Sequence, residues 1–330
     1  MTTDYDTRPD LAAGDQEELK AVDQRAESAA TPPQLVPMDS LTALHTGRWT
    51  FLILEGAAFM MQTMHPVIAP MVGRYSAAFN GDSGGRAIRS VDSVVRWVYG
   101  GGEAIVEGNR VRALHKPLTM KDEATGKQIS ALDPDAYQWV IATGYLINEK
   151  AGPLMMGRAY TDAEREELMR DNRVIARLLH VPMRGYPRTH AEFVEYFEKQ
   201  ILKLEATPEA VSQIADLRSG TVHVPPTVPA VLRPLVRRLM QPLLRLSYLS
   251  IAGVLDPRLR DKLGITWSAG EQRELERKYA FIRFAYRVLP DRLTYFPLAY
   301  HARKQHECIE KMKERQKKSF AYKLPGAKLP

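Results

Sequence analysis

The chain has 330 residues, 45% of them apolar and 26% charged, with a formal net charge of +7; this excludes a fibrous or wholly disordered chain and leaves room for one large domain or two modest ones. Its single cysteine, Cys308, excludes an internal disulfide and any zinc or iron–sulfur centre built from cysteines, which fits a reducing compartment.

Residues 1–40 hold nine acidic against three basic side chains, a balance of −6, so the remainder carries +13. Few large apolar residues occur there and "ATPPQLVP" closes the run, which predicts a disordered acidic arm over 1–40. No basic, apolar and small-residue succession of a secretory signal is visible, nor a twin-arginine pair. The expected location is the cytoplasm, with the membrane periphery as an alternative. From Trp49 the chain turns apolar: "WTFLILEGAAFMMQTMHP" is too short to span a bilayer and contains Glu55 and Gly56, so it predicts a buried core helix. Pro66 breaks that helix and leaves His65 at the bend.

In "GDSGGRAIRSVDSVVRWVYGGGEA" the apolar residues Ile88, Val91, Val94, Val95 and Val98 have helical spacing. Arg86, Arg89, Ser90 and Ser93 fall on an adjacent stripe, whose plain reading is a solvated face. The "GGGE" run lacks the Lys-Ser/Thr of a phosphate loop and reads as a helix-to-helix turn. The following helix ends at "RVRALHKP", because the residue before a proline is disfavoured in the α region.

Beyond it, "EATGKQ" is a polar loop that could hold a hairpin turn, and "DPDAYQWVIATGYLINE" is helical. Thr161 with Glu164 and Thr189 with Glu192 have the spacing of capping boxes at two further helix starts. The rest is helical in period, with no convincing strand, so the fold class is all-α, an irregular bundle of about ten helices over residues 41–305. Residues 306–330 form a basic tail; from Arg303 to Pro330 there are nine Lys or Arg against three Glu. No nucleic-acid-binding motif accompanies this charge, and no nucleic-acid partner is expected. The stretch Val228–Leu255, apolar on one side and arginine-rich on the other, reads as a buried helix pair cut by Pro229, Pro234 and Pro242, or as a segment lying on a bilayer.

His115 stands three residues after Arg112 in a chain with only eight histidines. At a helix C-terminus the unpaired carbonyls favour a cation, which accounts for a plain surface histidine. The other reading is a metal ligand, with the second ring nitrogen donating to the carbonyl of Val111 four residues earlier. No His-x-x-His, His-Glu-x-x-His or Glu-x-x-His pair exists to complete a zinc or non-haem iron site, whereas one histidine suffices for a haem, whose propionates need arginines.

The order of short motifs resembles the MpaB and rubber-oxygenase (latex-clearing protein) catalytic-domain family. It runs "HP" at His65 and Pro66, "RAIRS" from Arg86 to Ser90, "RALH" from Arg112 to His115, then "ALDPDAYQWVIAT", "LLHVP" and "LPDRLTYFP". The resemblance spans about Trp49 to Arg303 and implies an all-α bundle around a haem b pocket, with His115 as the axial iron ligand. It implies Arg112 as a propionate or ligand-helix partner, Arg86 as a further cofactor-binding residue, and Arg89 and Ser90 beside it on the distal side. His65 is a candidate proton shuttle or a structural residue, and "FLILEGAAFMM" would wall an apolar pocket. The implied activity is O2-dependent oxygenation of an apolar, perhaps isoprenoid, small molecule. A non-catalytic haem-binding protein and a haem-free helical protein at a membrane surface are the alternatives. Three departures stand out. Arg89 occupies the place of a lysine, and a guanidinium, never deprotonated in proteins, cannot cap the iron. Ile141 stands where many relatives have histidine, and no residue is assigned to the family's distal glutamate.

Overall fold

A computed structural model describes residues 34–76, 83–121, 126–221 and 229–320. Most of the expected acidic arm, and residues 321–330 of the expected tail, lie outside the described residues. The described residues form fourteen α-helices, one 3-10 turn and one two-stranded hairpin. The helices are α1 (Leu41–Thr46), α2 (Thr50–Thr63), α3 (Ile68–Tyr75), α4 (Ser83–Tyr99), α5 (Glu103–His115), α6 (Pro134–Met156) and α7 (Asp162–Leu178). They continue as α8 (His190–Ile201), α9 (Pro208–Ser219), α10 (Arg233–Val254), α11 (Pro257–Lys262), α12 (Ala269–Val288), α13 (Asp291–Thr294) and α14 (Pro297–Phe320). The excess over ten comes from pieces such as α1, α11 and α13, whose six, six and four residues are too short for a periodic signal. The expected tail boundary at 306 falls inside α14.

Local signals act as their chemistry dictates. Thr161 and Glu164 close a complete capping box at the start of α7. At α8 only half of one forms: Thr189 accepts from the Glu192 backbone, while the Glu192 carboxylate takes the Arg188 N–H instead. The glycines at 100–102 turn α4 into α5, and beyond Thr63 the chain bends by 114° into α3. Strands β1 (Thr119–Lys121) and β2 (Gln128–Ser130) pair antiparallel, a correction to the strand-free expectation; three residues each are too few for alternation to show.

Helix α2 is the centre of the core and packs against α6 and α10. Trp139 of α6, fully buried, donates from Nε1 to the Met61 carbonyl at 3.1 Å, and Gln62 donates to Thr143 at 2.9 Å. Gly56 is where α10 crosses, since a Cβ there would meet the Ile251 side chain. At the N-terminus of α2, Arg48 lies between the rings of Tyr286 and Tyr295, 4.7 and 3.8 Å from their centroids, and Thr294 accepts from Trp49. The motif "LPDRLTYFP" thus clamps the start of the core helix from the far end of the chain.

The Val228–Leu255 expectation needs correcting. Residues 233–254 form one continuous helix, α10, with Pro234 in the first turn and Pro242 inside. Pro234 has no intrahelical bond to lose there, and the carbonyl that Pro242 leaves unpaired belongs to Arg238, in the solvent-exposed half. Only the C-terminal half, from Tyr248 to Val254, is buried. Among the described residues no single helix is long and apolar enough to cross a membrane.

Candidate functional site

Helices α4 and α5 form an antiparallel hairpin, and its register is set by a buried carboxylate. Glu107 accepts from Ser93 at 2.6 Å, from Arg96 at 3.2 Å and from Arg110 at 2.6 and 2.7 Å. The Arg110 bonds, reinforced by Ser93 and the cations, pull its carboxyl down to about 2 against the cost of burial. The face carrying Ser93 is therefore turned to α5, a correction to its reading as a solvated stripe; Ser93 is buried, Arg86 and Ser90 are half-buried, and Arg89 alone is exposed. Two turns on from Ser93 toward the open end of the hairpin is Arg86, and two turns on from Glu107 is Leu114, so the hairpin brings Arg86 level with His115.

His115 closes α5, half-buried, with Nδ1 2.7 Å from the Val111 carbonyl. A carbonyl only accepts, so Nδ1 carries the proton and Nε2 is the nitrogen that can bind a metal. Arg112 is exposed, and its Nη1 donates to the His180 carbonyl at 3.3 Å. His180, in the "LLHVP" turn after α7, has left-handed backbone (φ 55°) and pairs through Nε2 with Asn109 Oδ1 at 2.6 Å. Gly108 lies directly on this turn, since a Cβ there would collide with the Leu178 carbonyl. The "RALH" helix is thus seated on the "LLHVP" turn at three successive places.

The structure adds a residue that the motifs did not single out. Glu55, on α2, faces Arg86, and the Arg86 guanidinium lies 6.0 Å from the centroid of the Phe59 ring. Burial raises the Glu55 carboxyl to about 7, and the Arg86 charge offsets only part of that cost. Burial and the neighbouring Arg89 likewise lower the Arg86 pKa, with Glu55 opposing them. An acid inside the apolar run "FLILEGAAFMM" was the available signal. Leu52, Glu55 and Phe59 are half-buried and share one stripe of this helix, whereas Met60 and Met61 are fully buried. The methionines expected to wall a pocket are core.

His65 stands apart, about 12 Å or more along α2 and around the bend from Glu55. Its Nδ1 accepts from Val67 N–H at 3.2 Å, and Nε2 lies 3.5 Å from Asp135 at the start of α6. "HP" and "DPDA" are therefore partners in fixing the bend. Ile141 is a buried core residue. A surface cleft of about 420 Å³, lined in part by Lys150, Asp256, Arg260 and Trp267, contains none of the expected site residues.

Whether these residues fit a haem is a matter of donors. Among the described residues no three His, Cys, Asp or Glu side chains gather to hold a metal. One imidazole with a committed Nδ1, with Arg86 and Arg89 at the same end of the hairpin and the Phe59 ring beside Arg86, matches a metal that brings its own macrocycle and carboxylates.

The catalytic-domain model of the ER-bound oxygenase mpaB/B' and rubber oxygenase matches residues 44–284. No curated protein and no solved structure gives a significant match. The match covers the core helices and the whole α4–α5 hairpin, and the chain belongs to the mpaB/rubber-oxygenase catalytic-domain family.

Proposed function

We propose that the protein is a haem b-dependent oxygenase acting with O2 on an apolar, isoprenoid-like small molecule. The observation that carries this reading is the bond from His115 Nδ1 to the Val111 carbonyl, which commits one ring nitrogen and leaves Nε2 as a ligand at the open end of a hairpin lined by arginines. Family membership supports the oxygenase class.

A bound haem supplies the oxygen and electron chemistry; the chain's part is to hold, orient and handle protons. His115 Nε2 would hold the iron, while Arg112, bonded to His180, keeps the ligand helix in place. Arg86 would face the carboxylates at the haem's edge. Arg89, permanently cationic, and the Ser90 hydroxyl would donate to negative charge as it develops on dioxygen. Glu55, with its carboxyl near 7, can hold or release a proton at neutral pH. Leu52 and Phe59 give the same stripe an apolar surface for substrate. His65, bonded at the α2–α3 bend, serves as a structural residue here.

The test is the visible spectrum of the purified protein with added hemin, before and after reduction. A Soret band that is lost or shifted in His115→Ala is the expected result. A parent protein that leaves hemin's free spectrum unchanged contradicts the proposal.

A further inference from the structure

The exposed half of α10 has a composition that water alone does not explain. Val231, Leu235, Leu239 and Leu243 are 83, 55, 66 and 43% exposed, and Leu232 beside them 47%. Their spacing of four puts them on a single stripe along the 3-10 turn at Ala230–Leu232 and the first turns of α10. Arg238 borders that stripe, while Arg237 and Arg233 lie toward the other side of the helix. From Leu217 to Leu255 the sequence contains five arginines and no acid. Arg245, the last of them, is paired with Glu274 at 2.7 Å and lies beyond the stripe.

We propose that this half-helix lies in the surface of an anionic lipid bilayer, its valine and leucine stripe entering the acyl boundary, Arg238 at the stripe's edge meeting headgroup phosphates and Arg237 adding to the attraction toward the anionic surface. Contiguous apolar side chains rimmed by polar ones mark interaction surfaces. Charge decides the occupant. A second copy docked on this face by a two-fold axis would set like arginines against each other, whereas anionic lipid complements them. A nucleic acid would leave the leucines in water. The bound helix would lie flat, and the inference is independent of the haem reading.

The experiment is co-sedimentation of the full chain with phosphatidylcholine vesicles and with vesicles that also contain phosphatidylserine. Leu235→Asn/Leu239→Asn and Arg237→Gln/Arg238→Gln are compared with the parent, with far-ultraviolet circular dichroism as the folding control. Binding to the anionic vesicles is expected, weakened by salt and reduced on the order of tenfold or more by either pair. No binding to anionic vesicles would overturn the proposal. So would equal binding to both compositions that the leucine pair leaves unchanged, or a dimer in sedimentation velocity that the leucine pair dissociates.

Discussion

Gly108→Ala is expected to destabilise the protein by about 2–3 kcal/mol, although helix propensity alone predicts a gain of up to about 1 kcal/mol for this change in a helix interior. The sign follows from what the new methyl meets: the carbonyl of Leu178, a backbone group in the last turn of α7 that no rotamer change can move aside. Helix α5 must lift away and break the bond that Arg112 donates to the His180 carbonyl and the one that Asn109 Oδ1 accepts from His180 Nε2. Gly84→Ala is the control, because nothing lies within 4 Å of a Cβ there; it should be neutral or slightly stabilising. Urea denaturation of the three proteins decides the matter, and a Gly108→Ala protein as stable as the parent would mean that α5 is not seated on α7 in this way. Hemin binding should weaken with it, since the displaced helix ends in His115.

Glu55→Gln is expected to stabilise the haem-free protein at pH 8 by about 2 kcal/mol and to change little near pH 4.5. Burial raises the folded-state pKa of this carboxyl to about 7, above its usual 4.5, with Arg86 opposing the shift. Between those values the folded state binds more protons than the unfolded chain, so its contribution to stability grows as pH falls through 7 and is lost above it. Glutamine, neutral throughout, removes that dependence. Unfolding midpoints of both proteins across this window are the measurement; a parent more stable than Glu55→Gln at pH 8 would place the carboxylate in a site that favours its charge. The alternative is informative, because it would make Glu55 a fixed anion partner of Arg86 and no proton carrier.

What could be read from the sequence was what spacing alone encodes. The all-α class, the break at Pro66, the glycine turn after Tyr99, the end of α5 at His115 and the capping box at Thr161 depend on neighbours a few residues apart. So does the His115–Val111 bond, which the spacing of four permits once the residue is placed at that end. Contacts between distant segments were not legible. Nothing local joins His65 to Asp135, Glu107 to Ser93, or Glu55 to Arg86. The arginine stripe of α4 looked like a solvated face because its partner helix returns only after the glycine turn. The continuity of α10 through Pro242 was hidden for a related reason: a proline's cost depends on whether the carbonyl it strands is buried or in water, which sequence does not state. The resemblance grouped "RAIRS" with "RALH" before any register joined them.

The central claim is that oxygen chemistry takes place at a haem held by His115. The most direct measurement is incorporation of isotopically labelled O2 into an apolar isoprenoid alkene by the hemin-loaded protein and by His115→Ala treated identically. The account predicts labelled product from the parent and near-background levels from the variant. No labelled product from a parent that binds hemin, or equal labelling by both proteins, would contradict it.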